Sequence, residues 1–440
     1  MSQNFGKPGD RVTLTLKNNH KESGIIVQSS KDNVTLLKLS TGYNVGFENE
    51  EIKEIKIIKK AKEEKDSKKI TEVSISKDKL LPTISILHTG GTIASKVDYR
   101  TGGVVASFSP KDLINLFPEL PKIANIESDL IAQMWSDDLR FIHMQKIVRA
   151  IEKKIKKGAD GIIVGIGTDN LAVTAAAVSF MIEHTPIPIL FVGSQRSSDR
   201  GSSDAAMNLI CAAKFITKTD FAGVAICMHG NAEDNFCNIL PATKTYKLHS
   251  SRRDAFQAVN SEPIAKVFYK EKKIDFLNQD YQKRNDKPAV IKDSMEEKVA
   301  ILKIHTNMFA SQFKAYHGFK GLILEGTGLG HIPLHKPTKG CEEHERIREE
   351  IKKLIADGTI MVMTTGCIFG PVNMQVYDKG RDLLELGVVS GKDMLASTAQ
   401  VKLAWLLANE TEQQKIKELM QTNLRGEISE KLIYTKDFTE

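Results

Sequence analysis

The stretch SILHTGGTIAS, residues 85–95, decides the fold class of this chain. Its first residues belong to an apolar run, TISIL at 83–87, that is typical of a buried strand. After His88 the chain continues into Thr-Gly-Gly-Thr at 89–92. Because glycine has no Cβ, the glycine pair lets the backbone turn sharply and lie close to a ligand. The turn also brings the hydroxyls of Thr89 and Thr92 to the carboxyl end of a strand, which is where open α/β sheets bind ligands.

A second strand end has the same character. The segment GIIVGIGTDN, residues 161–170, is an apolar run followed by Thr168 and Asp169 and then by a helical sequence. Two such strand ends in one sheet predict a single crevice lined from two sides. Local alternatives stay open: the Thr-Gly-Gly-Thr turn is also consistent with a tight connection whose threonines only cap, and Asp169 with a helix N-cap. A capping role and a chemical role for Asp169 can coexist.

Outward from these two stretches, strands and helices alternate from residue 82 onwards, a pattern typical of parallel sheets covered by helices. A polar, lysine-rich stretch at 268–288 separates two such series. The sequence therefore predicts an α/β fold with two tandem α/β domains whose sheets are mainly parallel. The runs that carry this prediction are, for strands, 83–87, 161–166, 187–193, 223–230, 299–305, 321–326 and 359–365, and, for helices, 171–182, 203–216, 342–358, 391–408 and 411–424.

The first sixty residues have a different sequence pattern from the rest of the chain. They hold five short β-branched runs separated by polar turns, a pattern that predicts a small all-β barrel. The Lys- and Glu-rich stretch that follows has the composition of a linker. The predicted organisation is a β-barrel domain at 1–60, a charged linker at 61–81, a large α/β domain with the catalytic residues at 82–267, an inter-domain connection at 268–295 and a smaller C-terminal α/β domain at 296–440.

The composition of the 440 residues, 41% hydrophobic and 27% charged, is ordinary for a globular protein. No apolar run reaches the roughly 18 residues that span a bilayer, and no signal-peptide core is found, so we expect no membrane partner. The five cysteines are scattered and form no CxxC pair, which favours a cytoplasmic location. The net charge of +7 permits an acidic partner such as RNA without requiring one.

Residues from about 82 to 425 resemble the L-asparaginase/glutaminase family, which has two signature stretches. LHTGGTIAS matches the signature that carries a nucleophilic threonine, and IGTDN corresponds to the second, which is usually His-Gly-Thr-Asp-Thr. The stretches VGSQRSSDRGSSDAAMNL (192–209) and YKLHSSRRDAF (246–256) are similar, more specifically, to the asparaginase-like D subunits of archaeal glutamyl-tRNA(Gln) amidotransferases. The N-terminal LKLSTGYNVGF (37–47) agrees, since those subunits carry an extra β-barrel domain.

The resemblance implies roles for individual residues. Thr89 corresponds to the nucleophile that attacks a side-chain carboxamide, and Thr168, Asp169 and Lys247 correspond to its supporting set. Asp169 can orient the lysine and accept the substrate's α-ammonium group, while Thr168 can relay a proton or hold the attacking water. The residues assigned to substrate binding are Ser136, which matches the position that binds the α-carboxylate, its neighbour Asp137, Thr92, and Tyr99 as the candidate for the mobile-loop tyrosine.

The proposed nucleophile needs help from a base. A threonine hydroxyl is a poor nucleophile at neutral pH, so a proton acceptor must lie within hydrogen-bonding distance. A neutral lysine can serve if desolvation or nearby positive charge lowers its pKa from the ordinary value of about 10.4. His249, Arg252 and Arg253 follow Lys247 and bring positive charge close to it in sequence. Outside its motif, Lys247 would be one of 62 Lys and Arg residues, for which a solvated surface position is the default.

The resemblance also implies a biological role. We expect a glutaminase-type component of a tRNA-dependent amidotransferase that releases ammonia from glutamine or asparagine. The resemblance implies a partner chain, the E subunit, that binds Glu-tRNA(Gln) and uses ATP and Mg²⁺, and the lack of a phosphate-binding P-loop in this sequence agrees with this. We therefore expect no cofactor in this chain. Family members pair their active sites across a homodimer, which implies a homodimer within a heterotetramer.

Two other functions stay open at the level of sequence. One is a free-standing L-asparaginase, against which the N-terminal barrel and SSRRDAF argue. The other is a catalytically weakened scaffold subunit. Its support is that Ile166 and Asn170 replace a histidine and a threonine of the family signature, on either side of Thr168 and Asp169.

Three further features receive structural interpretations. The segment GHIPLHKPTKGCEEH places His331, His335, Cys341 and His344 close together, but its prolines interrupt any helix that would align the histidines, so we predict no metal site. EGTGLGH (325–331) lacks the complete dinucleotide-binding spacing and predicts a turn. Cys367 has no base near it in sequence and is predicted to be a buried thiol.

Overall fold

The computed structural model describes residues 6–27, 29, 33–39, 44–60, 78–90, 95–97, 104–106, 117–196 and 203–431. Most of the predicted charged linker lies outside these ranges. Within them, no helix is both long enough and apolar enough to cross a bilayer.

An antiparallel sheet of five strands forms the N-terminal region. Its strands are β1 (Arg11–Leu16), β2 (Lys21–Val27), β3 (Val34–Leu39), β4 (Asn44–Glu48) and β5 (Ile52–Lys59), in the order β4-β3-β2-β1-β5. Val12 and Leu14 alternate with polar neighbours along β1 and pack against Leu37 in a small apolar core. This alternation, with one face buried and one exposed, confirms the predicted all-β fold of the region.

Strands and helices alternate through the rest of the described chain. The strands are β6 (Thr83–His88), β7 (Ser95–Val97), β8 (Val104–Ala106), β9 (Asn125–Leu130), β10 (Gly161–Gly165), β11 (Ile182–His184), β12 (Pro188–Val192), β13 (Gly223–His229), β14 (Phe236–Pro241), β15 (Thr245–Lys247), β16 (Phe256–Ala258), β17 (Ala265–Phe268), β18 (Ile274–Phe276), β19 (Val290–Ile291), β20 (Val299–Lys303), β21 (Gly321–Gly326), β22 (Ile360–Thr365) and β23 (Val389–Ser390). The helices are α1 (Phe141–Lys156), α2 (Leu171–Met181), α3 (Ala205–Lys218), α4 (Ala310–Lys314), α5 (Glu342–Ala356), α6 (Asp378–Leu386), α7 (Ala396–Asn409) and α8 (Gln413–Met420).

The large domain is built on an eight-stranded sheet in the order β18-β17-β14-β13-β12-β10-β6-β9. Pairing is parallel from β13 to β9 and antiparallel from β13 to β18. Every residue of β10 and of β12 is buried, because these central strands are covered on both faces. Strands β6 and β10 are neighbours, so their carboxyl ends lie side by side.

The smaller domain has a wholly parallel sheet in the order β20-β21-β22-β23. Helix α2 lies between the two α/β domains and packs against α7, with Phe180 and Trp405 stacked at a centroid distance of 6.1 Å. Almost all of α2 is buried, which explains why its sequence is apolar on every side. The structure confirms the predicted fold class of two α/β domains with mainly parallel sheets.

The segment after α8 joins the two α/β domains through buried polar contacts. Lys402 on α7 pairs with Glu427 at 2.6 Å, and both side chains are fully buried. Arg425 donates from Nε to the Ser179 carbonyl at 3.0 Å, and Lys244 pairs with Asp393 across the same boundary. Burial lowers the pKa of Lys402, a tendency that the carboxylate of Glu427 opposes. The residues around 422–429 are called the C-terminal clasp below.

Two details differ from simple expectation. Strand β18 lies inside the stretch predicted as an inter-domain connection and extends the large sheet by pairing with β17.

Cys367 is exposed, so the prediction of a buried thiol is wrong. It follows the end of β22 in a loop at the carboxyl edge of the smaller sheet, where the backbone leaves the core.

Candidate active site

The ends of β6 and β10 are held together by the parallel register. His88 is aligned with Gly165, and the main-chain N–H of Thr89 donates to the Gly165 carbonyl at 3.1 Å. Thr89 is almost completely buried. Gly90 has a φ of +96°, in the left-handed region that favours glycine, so the first glycine of the motif is required by the turn.

Lys247 connects the second strand end to a distant part of the chain. It is the last residue of β15, and its Nζ donates to Thr168 Oγ1 at 2.8 Å and to Asp169 Oδ1 at 2.8 Å. The lysine side chain is only 15% exposed, whereas that of Asp169 is 68% exposed. Thr168 and Asp169 follow β10 and precede α2, so both carry their functional groups at the carboxyl edge of the sheet.

A short 3-10 turn, Ser136–Asp138, forms a third side of the site. Ser136 is buried, whereas Asp137 beside it is exposed. The side chain of Asn170 donates from Nδ2 to the Ser136 carbonyl at 2.7 Å. A Cβ on Gly167 would lie 2.8 Å from the Ser136 hydroxyl oxygen, so the two turns approach as closely as a glycine allows.

Thr89 is also tied to this third turn. Its carbonyl accepts a hydrogen bond from the main-chain N–H of Met134 at 3.0 Å, just ahead of Ser136. The structure thus brings together Thr89, Ser136, Thr168, Asp169 and Lys247 through neighbouring strand ends and direct contacts. Thr92 and Tyr99 lie outside the described residues, and their assignment to substrate binding stays a prediction.

The positive charges that follow Lys247 in sequence are neutralised by other partners. Arg252 contacts Asp254 through two hydrogen bonds of 2.8 and 2.7 Å, and its guanidinium holds the pKa of Asp254 below the usual range. Arg253 donates to Asp234 at 2.7 Å. Neither arginine is therefore a free positive charge beside Lys247, contrary to what their sequence positions indicate.

The arrangement can move a proton. Lys247 Nζ lies within hydrogen-bonding distance of Thr168 Oγ1 and Asp169 Oδ1, and a neutral amine at this place can accept the proton of the Thr168 hydroxyl. A hydroxyl next to an amine and a carboxylate is the pattern expected of nucleophilic catalysis with an adjacent base. The geometry therefore fits the activation of a hydroxyl nucleophile or of a water molecule at this edge.

Asn170 is a functional candidate whose role the sequence did not predict. The sequence identifies it only as a departure from the family signature. Its place directly after Asp169 was the available signal, but its contact with Ser136 joins positions 34 residues apart. Such a contact depends on how the strands are arranged and cannot be inferred from spacing.

No group of three or more His, Cys, Asp and Glu side chains in the described part of the chain is placed to hold a metal ion. Two of the three histidines of the 331–344 segment have hydrogen-bonding partners elsewhere. His335 contacts Asp382 at 2.8 Å, and His344 Nδ1 lies 2.8 Å from the His335 carbonyl.

Comparisons with known sequences cover nearly the whole chain. Residues 83–282 match the family described as "Asparaginase, N-terminal", residues 298–420 match "Glutaminase/Asparaginase C-terminal domain", and residues 7–58 match "GatD N-terminal domain". A protein from Pyrococcus furiosus, named as the D subunit of glutamyl-tRNA(Gln) amidotransferase, is 42% identical over 412 residues, which is 93% of this chain and 90% of the relative. One with the same name from Methanococcus maripaludis is 41% identical over 96% of this chain and 98% of its own length.

Solved structures give the same picture for the α/β part. The thermostable L-asparaginase from Thermococcus kodakarensis superposes with a TM-score of 0.69 at 28% identity, covering 79% of this chain and 100% of the asparaginase. A probable cytoplasmic L-asparaginase from Campylobacter jejuni gives a TM-score of 0.63 at 26% identity, covering 78% of this chain and 100% of its own. About a fifth of this chain is thus additional to a complete asparaginase.

Proposed function

The chain belongs to the family of asparaginase-like D subunits of glutamyl-tRNA(Gln) amidotransferases, and on that basis we propose that it releases ammonia for the amidation of Glu-tRNA(Gln). The donor would be glutamine or asparagine, and a partner chain, the E subunit, would form Gln-tRNA(Gln). The observation that carries the proposal is the contact of Lys247 with both Thr168 and Asp169 at 2.8 Å. Without a lysine that can accept a proton, the threonines at the two strand ends would line a crevice but would have no base to activate them.

The proposed chemistry is acyl transfer through Thr89. Its Oγ attacks the carboxamide carbon while its proton passes towards Lys247, with Thr168 as the relay. The C–N bond then breaks, the nitrogen leaves as ammonia with the proton it receives, and the acyl group stays on Thr89 as an ester. Water hydrolyses that ester, which restores the hydroxyl and releases glutamate or aspartate.

Substrate binding uses the groups that surround this centre. Ser136 and Asp137 are proposed to bind the α-substituents of the amino acid, together with Asp169, whose exposed carboxylate suits an α-ammonium group. Thr92 and Tyr99 are proposed to complete the pocket. The Asn170 contact with Ser136 supports this assignment, because it fixes one side of the pocket relative to the other.

The remaining chemistry is assigned to the partner. We propose that this chain holds no cofactor and that ATP and Mg²⁺ act on the partner chain, and the lack of a P-loop in the sequence agrees with this proposal. A homodimer within a heterotetramer, located in the cytoplasm, is the proposed assembly. The match of residues 7–58 to a domain described from D subunits supports a partner-dependent role.

The free-standing asparaginase is the second candidate. The T. kodakarensis L-asparaginase is matched over its whole length, yet it accounts for only 79% of this chain. The extra N-terminal region argues for the amidotransferase role. An inactive scaffold has little support, because Ile166 is a fully buried core residue and Asn170 has a definite contact with Ser136.

The test is to assay the full chain with its partner, measuring ammonia release from glutamine and asparagine together with Gln-tRNA(Gln) formation. Thr89→Ala removes one hydroxyl from a turn whose bonds are main-chain bonds, so we expect a folded protein with no hydrolysis. Added ammonium salt should restore amidation of the tRNA in this variant. Thr217→Ala, on α3 away from the site, is the matched control. Normal ammonia release by Thr89→Ala would overturn the mechanism. If the wild-type chain releases ammonia but does not support Gln-tRNA(Gln) formation with its partner, the free-standing asparaginase is favoured.

A further inference from the structure

The loop that follows Lys247 is anchored to a neighbouring loop by one arginine. Strands β15 and β16 form a hairpin whose loop, residues 248–255, is called the catalytic hairpin loop here. Within it Arg253 donates to Asp234 at 2.7 Å and to the Ala232 carbonyl, both in the connection between β13 and β14. This anchor determines where the end of β15, and hence Lys247, lies relative to the large sheet.

The carboxylate that accepts from Arg253 has a second partner. Asp234 Oδ1 also lies 3.1 Å from Nε2 of His229, the last residue of β13. The His229 side chain is fully buried, and its other ring nitrogen, Nδ1, lies 2.6 Å from Asn208 Oδ1 on α3. The imidazole is therefore fixed at both nitrogens.

The orientation of Asn208 is dictated by its other neighbours. Its Nδ2 faces the Gly193 carbonyl at 3.0 Å and the Asp204 carboxylate at 3.3 Å, and neither of these donates a proton in its ordinary state. Asp204 accepts main-chain hydrogen bonds from Gln195 and Arg196, as an ionised carboxylate does. The amide nitrogen of Asn208 must therefore be the group that faces them.

The oxygen of Asn208 consequently faces the histidine as an acceptor. The Cys237 thiol supports this orientation by donating to the same oxygen at 3.3 Å, and burial raises the pKa of that thiol, so it keeps its proton. Nδ1 of His229 must then carry a hydrogen. At the opposite nitrogen, the arginine-bound carboxylate of Asp234 is also an acceptor, so Nε2 must carry a hydrogen as well. Only an imidazolium ring satisfies both contacts at once.

We propose that His229 is a positioning residue that holds Asp234, and through Asp234 and Arg253 the catalytic hairpin loop, so that Lys247 meets Thr168, and that it holds Asp234 most firmly when its ring is doubly protonated. The inference rests on the function proposed for Lys247. The His229 ring also connects to the catalytic centre through Asn208, which donates to the Gly193 carbonyl. Gly193 lies so close to Thr168 that a Cβ on Gly193 would be 3.0 Å from the Thr168 methyl carbon. One buried ring thus connects both sides of the Lys247–Thr168 contact.

The environment determines how the ring responds to pH. Burial lowers the pKa of His229 from its ordinary 6.5, Asp234 and Asp204 act in the opposite direction, and Arg253 adds to the lowering. When the ring loses its second proton, one of its nitrogens is left as an acceptor facing an acceptor, and the charge that attracts Asp234 is lost, so the hold on Asp234 weakens. The titratable and charged groups that face His229 are Asp204 next to α3, Asp234 and Cys237 around β14, and Arg253 and Asp254 in the catalytic hairpin loop.

The protonation state can be measured directly on the full chain. With ¹⁵N-labelled histidine, His229 should show both ring nitrogens protonated at low pH and should lose one proton on the acid side of pH 6.5. Its signals are assigned by their absence in His229→Gln. A ring that carries a single proton from pH 4.5 to 7.5 would overturn the proposal. This measurement does not depend on turnover, so it stands even if Thr89 is not the nucleophile.

Kinetics test the connection to Lys247. Arg253→Gln should lower kcat on the order of tenfold at low pH with little change in KM, because it releases the loop that positions the base. The ratio of wild-type to variant kcat should fall as pH rises through the His229 transition, since Asp234 in the wild type then loses the attraction of one of its two partners. Arg252→Gln, which breaks only the pair with Asp254 inside the same loop, is the matched control. A pH-independent ratio, or an equal loss in the control, would show that the network has only a structural role.

Discussion

At the scale of single residues, the site depends on one lysine that contacts two groups at once. An exposed lysine contributes little through a single ion pair, because its long chain must be ordered and water screens the charge. Lys247 is mostly buried and meets a hydroxyl and a carboxylate at equal distances, so its position is defined from two directions. A change there should affect the chemistry far more than the stability.

We therefore predict that Lys247→Met lowers kcat for carboxamide hydrolysis by a factor close to that of Thr89→Ala. Methionine keeps the apolar stem and removes the proton acceptor. The double variant should be little worse than either single variant, since residues that act as one unit are not additive. Steady-state rates of ammonia release, with melting temperatures as the check on folding, measure this.

The control for this prediction is Lys266→Met on β17, a lysine outside the site. It should leave hydrolysis unchanged. Losses that multiply in the double variant would mean that Lys247 and Thr89 act independently, and Lys247 would then not be the base.

The sequence placed parts of this site for clear physical reasons. Thr89 and Thr168 follow apolar strands, and parallel strands bring their carboxyl ends to one edge, so proximity of the two could be expected. The contact of Lys247 crosses almost eighty residues and was expected only through a resemblance. Asn170 and His229 were not assigned, because their contacts depend on which strands are neighbours. The catalytic roles themselves stay predictions.

At the scale of elements, burial decides which strands can be found in the sequence. Strands β10 and β12 are buried at every residue and so have continuous apolar sequences. Strand β9, at the edge of the same sheet, is half-exposed or exposed throughout and has the polar sequence NIESDL, which carries no strand signal. Strand β18 is likewise half-exposed at the opposite edge. An edge strand forms because it pairs with a neighbouring strand, so its own sequence need not show an apolar strand pattern.

The segment after β18 is secured by an aromatic cluster. Tyr281 stacks on Phe276 with a centroid distance of 4.9 Å, and its hydroxyl donates to Asp220 at 2.8 Å. We predict that Tyr281→Phe lowers the free energy of unfolding by about 1 kcal/mol, the usual net value of one hydrogen bond. Chemical denaturation at neutral pH measures it. The control is Tyr316→Phe, because that hydroxyl makes no hydrogen bond to the described residues; equal losses would contradict the argument.

The same pair predicts a pH dependence. Burial, together with the bond to Asp220, raises the pKa of Tyr281 to about 12 from an ordinary value of 10. Between these values the unfolded chain loses the tyrosine proton while the folded chain keeps it, so the unfolded state gains stability as pH rises. The stabilisation by Tyr281 is therefore complete below pH 10 and is lost on going to pH 12. Subtracting the Tyr281→Phe curve from the wild-type curve isolates this contribution.

At the scale of the whole molecule, the N-terminal sheet is a separate unit. It has its own small apolar core, and the α/β part begins with contacts of its own, since Asn125 holds the main chain at Asp78 and Leu81 through bonds of 2.8–2.9 Å. Deletion of residues 1–75 leaves those contacts in place. We predict a folded α/β core whose basal hydrolysis falls less than its ability to support amidation of Glu-tRNA(Gln).

Both activities must be compared with and without the partner chain, because the partner can itself stimulate hydrolysis. A melting curve of the truncated chain separates a docking defect from a folding defect. If the deletion lowers both activities equally in every condition, the N-terminal region is a stability element and not a docking module.

The C-terminal clasp has a consequence for the order of events during synthesis. Domains generally fold as units while the chain is still being made, the first-made part first. The large domain can therefore fold early. The ion pair of Lys402 with Glu427, and the hydrogen bond from Arg425 to the Ser179 carbonyl, can form only after the C-terminal clasp has been made. A nascent chain that lacks these residues leaves the Lys402 ammonium and the Ser179 carbonyl without these partners. The contacts of the C-terminal clasp are then completed only after residues 422–429 have been made, later than the catalytic residues.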